Sequence, residues 1–156
     1  MTRAAVTTVE SGPHQVSRRT EVGAPVSTLF ALVADPHRHG ELDGSGTVQR
    51  TVSGPARLSD GATFSVGMKQ LGLPYKITSV VTEFATDQVI EWRHPLGHRW
   101  RWQFVAQGLN RTQITETFDY GGTGVRARMI ELLGFPKRNA AGIESTLTRL
   151  QDRYPA

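Results

Sequence analysis

The segment from position 98 to position 104 concentrates side chains that could bind or act on a ligand. In an extended strand, alternate side chains point to opposite faces of the sheet. The spacing therefore predicts that one face carries His98, Trp100, Trp102 and Phe104, and that the arginines between them occupy the other face. The aromatic face is either core packed against a helix or the wall of an apolar pocket. A platform for single-stranded nucleic acid is disfavoured, because there the rings and the basic groups serve one surface.

The neighbouring strand adds a third tryptophan to this pattern. Ile90, Trp92 and His94 alternate in the same way, so Trp92 joins Trp100 and Trp102 if its face is the inner one. Three tryptophans facing one helix would form a large apolar surface suited to a flat or polycyclic ligand. This clustering is the main reason to expect a pocket.

Glu116 lies in a strand whose alternate residues Ile114, Phe118 and Tyr120 are apolar or aromatic. If Phe118 points inward, so does Glu116, and a buried carboxylate is costly unless it is paired or protonated. Two interpretations stay open: an ion pair with an inward basic group, or a hydrogen-bonding anchor or general acid/base for a ligand. His98 and Glu116 are weak catalytic candidates, and no catalytic residue is assigned.

The histidines do not predict a metal site. His37 and His39 are two residues apart, which on a helix does not place them on one face. His94 and His98 flank a short turn and could reach one ion, but a third ligand is not evident and a site needs three or four. The chain has no cysteine, which excludes a disulfide framework, a thiolate-bound zinc and a cysteine nucleophile. We predict neither a metal nor a cofactor.

Period-2 alternation between turn residues predicts one N-terminal strand and then an antiparallel meander. The predicted strands are His14–Val22, Thr47–Val52, Ala62–Gln70, Tyr75–Phe84, Gln88–His94, His98–Gln107 and Arg111–Tyr120.

Helices are predicted on both sides of the meander. After the first strand, an apolar stripe predicts a helix of about ten residues that ends at Asp35-Pro36, followed by a short helix from 37 to 41. A turn over 43–46 comes next, with Asp43 as a polar rim residue. The C-terminal region has apolar residues on one helical face, with a kink or break predicted at Gly134 and Pro136. Those residues are Val125, Met129, Leu132, Leu133, Ala140, Ile143, Leu147 and Leu150.

This order of elements predicts an α+β fold in which a curved antiparallel sheet wraps around a long C-terminal helix. The 156 residues suit a single domain. We expect a flexible N-terminus over 1–13 and one domain over 14–156. The net charge is +4, and most of it lies on the solvent side of the terminal helix. No apolar run is long enough to cross a bilayer, and no signal peptide is apparent, so a cytoplasmic protein is expected.

Several sequence strings resemble the START-like, or SRPBCC, superfamily in its polyketide cyclase/dehydrase and lipid transport branch. They are APVSTLFALVADPHRHGELDGSGTV at 24–48, GPARLSDGATFSVGM at 54–68, VIEWRH at 89–94, TQITETFDY at 112–120, and LGFPKRN at 133–139 before the final helix. The resemblance extends over residues 14 to 153. It implies the helix-grip fold and an apolar cavity between the long helix and the sheet, but it implies no particular reaction.

The leading prediction is therefore binding of a hydrophobic small molecule, aromatic or lipid-like, in that cavity. The alternative is a cofactor-free enzyme of the polyketide cyclase/dehydratase type that uses acid/base residues of the pocket, and a second alternative is an accessory protein-interaction module. We expect no nucleic acid partner, no membrane insertion, and a monomer or homodimer. The predicted ligand-binding residues are Phe64, Val66, Met68, Ile77, Trp92, His94, His98, Trp100, Trp102, Glu116, Phe118, Met129, Leu133 and Ile143.

Overall fold

A computed structural model describes residues 3–42 and 48–156 of the chain. The predicted turn over 43–46, with its rim residue Asp43, lies outside these residues. Within them the protein is an α+β fold with an antiparallel sheet and a long C-terminal helix, as predicted.

The sheet contains eight described strands, and every neighbouring pair is antiparallel. The spatial order is β1-β2-β8-β7-β6-β5-β4-β3. The meander from β3 to β8 therefore keeps sequence neighbours adjacent, and β2 closes onto the last strand. The bounds are β1 Thr7–Val9, β2 Gln15–Val22, β3 Val48–Ser53, β4 Thr63–Gln70, β5 Leu73–Ala85, β6 Val89–Arg93, β7 Arg99–Ala106 and β8 Thr112–Asp119.

Strand β1 is an addition to the predicted set. Thr7–Val9 fall in the N-terminus that was expected to be loose, yet they pair with Ser17–Arg19 at the edge of the sheet. Three mostly polar residues carry too weak an alternation to stand out in a sequence. Their backbone groups nonetheless complete the ladder of β2, which would otherwise present an unpaired edge.

The first helical region follows the prediction closely. Helix α1 spans Val26–Ala34 and buries Leu29, Phe30 and Val33 in the core. At its end the carboxylate of Asp35 accepts a hydrogen bond from the backbone N–H of His37 at 2.9 Å. This bond caps one 3-10 turn over Pro36–Arg38, which leads into helix α2 at His39–Leu42.

The C-terminal region forms two helices, α3 at Arg126–Leu132 and α4 at Phe135–Arg153. The predicted break is confirmed: Gly134 has a φ of +77°, a left-handed conformation that glycine adopts at no steric cost. Helix α4 packs on β2 and β8 and buries Ile143, Leu147 and Leu150 in the same core as the sheet aromatics. Helix α3 instead leaves Met129 and Leu132 exposed.

Candidate functional site

Five rings on the inner face of the sheet form what we call the aromatic layer: Phe64, Trp92, Trp100, Phe118 and His98. The ring of Phe64 meets Trp92 edge-on, with centroids 5.5 Å apart. Trp92 and Trp100 stand directly opposite each other on β6 and β7. Phe118 of β8 then contacts Trp100 at 5.0 Å and His98 at 5.3 Å. The rings come from four strands and one turn, so antiparallel pairing assembles the layer.

The third tryptophan is deeper in the same face. Trp102 is buried in the hydrophobic core and stacks near Phe104 with a centroid distance of 6.4 Å. Trp92 and Trp100 are only partly buried at the margin of that core. Trp92 and Trp100 are therefore the tryptophans that a ligand could reach without displacing core packing.

The arginines between the rings lie on the outer face of the sheet. Arg101 donates a hydrogen bond to Glu91 at 3.0 Å and also pairs with Glu83. Arg99 lies 3.7 Å from Glu91. Rings and guanidinium groups thus occupy opposite surfaces, as the alternation predicted.

A cleft of about 490 Å³ opens at one end of the sheet. The β5–β6 ladder reaches only as far as the pair Val80 and Arg93, after which β5 continues without a partner on that side. The β6–β7 turn bends away from β5, and the cleft is the gap between this turn and β5. Its lining comes from Thr63, residues 78–80, residues 93–97, Gly122, Thr123 and Arg126. Hydroxyl groups and two arginines make this cleft more polar than the aromatic layer.

His94 and His98 join the cleft to the aromatic layer. His94 lines the cleft, and its ring stacks on that of His98 with centroids 4.1 Å apart. Burial lowers the pKa of His94. Burial, and secondarily the neighbouring His94, lowers the pKa of His98 from 6.5 to about 4. The backbone N–H of Leu96 donates to Nδ1 of His94 at 3.0 Å, which requires that nitrogen to be unprotonated. Both rings are thus neutral at pH 7.

His39 belongs beside this layer, and sequence reasoning missed it. Its ring stacks on Trp92 at 5.0 Å and meets Phe64 edge-on at 5.5 Å. Burial lowers its pKa, and the backbone carbonyl of Val33 accepts a hydrogen bond from Nε2 at 2.7 Å. His39 is therefore a neutral structural ring that supports Trp92 from behind. No local signal marks it, because Trp92 lies more than fifty residues further along the chain.

Glu116 is buried on the inner face, as the alternation predicted. It stands opposite Trp102 on one side and opposite Arg18 of β2 on the other. Nε of Arg18 also donates to a carboxylate oxygen of Glu144 on α4 at 2.9 Å. An inward basic group thus occupies the position facing Glu116, which favours the structural interpretation of this carboxylate.

Glu116 and His98 are not brought together. Extending the β7–β8 register by one residue places His98 opposite Tyr120. That position is four residues, or about 13 Å, from Glu116 along β8. The two weak catalytic candidates therefore do not form an acid/base pair.

The remaining predicted site residues separate into three groups. Phe64, Val66, Trp102, Phe118 and Ile143 are buried core residues, and Met68 packs at the core margin. Ile77 is partly buried on β5, where the strand runs beside the cleft. Met129 on α3 and Leu133 directly after it are exposed, so the structure does not bring them to the aromatic layer. Of all the predicted residues, His94 is the one that lines the cleft in the described part of the chain.

Among residues 3–42 and 48–156, no group of three or more histidine and carboxylate side chains could hold a metal ion. None of the described helices is both long and apolar enough to cross a bilayer.

The sheet with its inner aromatic layer and the C-terminal helix that packs on β2 and β8 define a helix-grip fold of the START-like, or SRPBCC, class. More specifically, the chain belongs to the polyketide cyclase / dehydrase and lipid transport family, whose model matches residues 13–154.

The chain is also similar to proteins of known sequence or structure. The uncharacterized protein Rv0088 of Mycobacterium tuberculosis is 53% identical over 152 residues, which are 96% of this chain and 68% of that protein. A START superfamily protein from Mycobacterium smegmatis superposes with a TM-score of 0.68 at 19% identity, over 90% of this chain and 97% of the other. The Zhui aromatase/cyclase of a Streptomyces species superposes with a TM-score of 0.61 at 18% identity, over 89% and 94%. At such identities, the two superpositions show the fold alone.

Proposed function

We propose that the protein binds an amphiphilic small molecule whose apolar or aromatic body lies on the aromatic layer and whose polar group occupies the cleft. One observation carries this proposal: partly accessible Trp92 and Trp100 lie in a run of rings that His98 and His94 connect to the cleft. Ligand pockets combine apolar and aromatic walls with a few polar groups that orient the ligand.

The size and charge of the cleft support this ligand class. Its volume of about 490 Å³ is in the range of small-molecule sites. Arg93 and Arg126 line it, and both guanidinium groups are exposed. Threonine and serine hydroxyls contribute further donors and acceptors. A carboxylate, a sulfonate or a phenol at one end of the ligand would suit these groups.

A fluorescent probe pair tests the binding function. Anilinonaphthalene sulfonate has a flat aromatic body and an anionic group, and phenylnaphthylamine has the same body without the charge. We expect both probes to bind, and Trp100→Leu to weaken both by about tenfold because a stacking surface is lost. The matched control is Phe104→Leu, an aromatic residue on the same strand and face that is buried away from the cleft.

The interaction of the ligand's anionic group with the cleft arginines is tested separately. Arg93→Gln should weaken binding of the sulfonate by about fivefold and leave phenylnaphthylamine unchanged, because the lost interaction is between charges near solvent. Arg111→Gln, outside this cleft, is the control. If neither probe binds, or if Trp100→Leu and Phe104→Leu weaken binding equally, the aromatic layer is not the binding surface.

A cofactor-free cyclase or dehydratase is the second candidate, and the observation that favours it is the stacked pair of histidines at the cleft. Two neutral imidazoles can accept and relay protons near a bound polyketide. A poly-β-ketone thioester incubated with the protein would then lose water, which mass spectrometry detects. In that case His98→Gln would abolish the loss of water, whereas its probe affinity would fall by no more than the loss of about tenfold expected for Trp100→Leu. Probe binding without loss of water assigns a binding role alone.

A further inference from the structure

Helix α3 presents its apolar face to solvent. Val125, Met129, Leu132 and Leu133 are spaced as one helical face, and their exposed fractions are 96%, 62%, 78% and 58%. The opposite face of α3 carries Ala127, which is buried, and Ile130, which packs against the core. The stripe that the sequence pattern assigned to the core therefore points outward.

Specific bonds hold α3 in this orientation. The hydroxyl of Tyr120 donates to a carboxylate oxygen of Glu131 at 3.0 Å, and Nδ1 of His14 lies 3.2 Å from the same oxygen. At the start of the helix, Arg126 donates to the carbonyl of Leu96 at 3.2 Å. Turning the stripe toward the core would break these contacts and expose Ala127. The outward stripe is thus a built feature of the fold.

A second group of exposed apolar residues lies at the same end of the sheet. Leu71, Leu73 and Tyr75 form the tip of the β4–β5 hairpin and are all exposed. The part of β5 without a β6 partner, residues 73–79, extends about 20 Å beyond the Val80–Arg93 pair, at the end of the sheet where the β6–β7 turn contacts α3. Exposed Leu96 lies in the turn between them. We call α3, the first turn of α4, this β6–β7 turn and the hairpin tip the apolar rim; the β6–β7 turn and Arg126 of α3 line the cleft.

The rim is strongly basic. Residues 121–139 contain four basic residues and one acidic residue, Glu131, which already contacts Tyr120 and His14. Arg126, Arg128, Lys137 and Arg138 are all exposed. Lys76, near the hairpin tip, is exposed as well. Exposed leucines among lysines and arginines are typical of surfaces that adsorb to anionic lipid.

We propose that the apolar rim docks on an anionic phospholipid surface, with the leucine and methionine side chains among the acyl chains and the basic residues at the headgroups. The positive charge of the rim favours a phospholipid surface over a second copy of the chain. A second copy of the chain would bring one basic rim against another, whereas phosphate groups complement it. Docking would direct the cleft toward the bilayer, and it does not require the ligand proposed above.

Co-sedimentation with vesicles tests docking. Wild-type protein should sediment with vesicles of phosphatidylcholine and phosphatidylglycerol in equal parts at low salt. It should stay in solution with phosphatidylcholine alone or at high salt, because screening removes the electrostatic attraction.

Paired variants identify the surface. Met129→Ser with Leu132→Ser should lower the partition coefficient by about tenfold or more, because two apolar side chains that would enter the acyl-chain region are lost. The control is Leu109→Ser, an exposed leucine in the β7–β8 turn at the opposite end of the sheet. Arg128→Gln with Lys137→Gln should lower the coefficient by about tenfold or more, since each charge contributes about fivefold; Arg111→Gln should not.

Three results would overturn docking: no sedimentation with anionic vesicles at low salt, equal losses in the rim and control variants, or a lipid-free dimer that the Met129 and Leu132 changes dissociate. The last result would assign the rim to a second copy. Near-ultraviolet circular dichroism checks that each variant is folded. Probe binding measured without vesicles should be unchanged in the rim variants, so failure of docking and failure of ligand binding are distinguishable.

Discussion

Replacing His98 by glutamine removes an imidazole that the fold keeps neutral. In the unfolded chain this group binds a proton with a pKa of 6.5, whereas burial and the neighbouring His94 lower the pKa to about 4 in the folded protein. Between these values the unfolded state holds more protons, so acidification favours unfolding. The stabilising contribution is complete above pH 6.5 and is lost as the pH falls toward 4.

The size of this effect follows from the pKa difference. A shift of two and a half units corresponds to at most about 3.4 kcal/mol. By about pH 5 the loss would be about 2 kcal/mol, and the solvent that still reaches His98 reduces this to about 1 to 2 kcal/mol. His98→Gln should therefore cost stability at pH 7 through lost ring contacts, but its stability should fall less than that of the wild type between about pH 7 and pH 5.

Urea unfolding followed by tryptophan fluorescence measures both proteins at several pH values. The diagnostic quantity is the wild-type free energy of unfolding minus that of the variant, which should shrink by about 1 to 2 kcal/mol on acidification. His37→Gln shows what a histidine-to-glutamine change costs at an exposed site. If the free energies of unfolding of the wild type and of His98→Gln change with pH in parallel, the assignment of His98 as a buried neutral group is refuted.

Three further changes test the fold. Leu147→Ala, at a fully buried position of α4, should lower the free energy of unfolding by about 2 to 5 kcal/mol in urea; a smaller loss would mean that α4 is not firmly packed. Gly23→Ala places a methyl group 2.6 Å from the carbonyl oxygen of Pro155. We therefore expect thermal unfolding to show a free energy of unfolding lower by about 1 to 3 kcal/mol. An unchanged free energy would contradict that close approach. Tyr120→Phe removes the hydrogen bond to Glu131. The backbone amides of α3 should then exchange faster with deuterium, and the free energy of unfolding should fall by about 1 kcal/mol. Unchanged exchange would show that α3 is held by other contacts.

Local patterns in the sequence determined a large part of this structure. The alternation in β7 decides that Trp100 and Trp102 share a face opposite Arg101, because successive strand residues point to opposite sides whatever the strand pairs with. Helix α1 and the break at Gly134 follow equally from near neighbours in the chain. For the same reason the α+β class and the inward position of Glu116 could be predicted, although Arg18 as its facing residue depends on the β2–β8 register.

Tertiary structure decided the features that carry the proposals. The apolar stripe of α3 reads as core in the sequence, but bonds from Glu131 to Tyr120 and His14 turn it outward, and one of these partners is more than a hundred residues away. The cleft exists because β5 is longer than the strand paired with it. His39 supports Trp92 only because α2 lies against β6 in space. A periodic pattern records which residues share a face, whereas the direction of that face depends on contacts between segments that are distant in the chain.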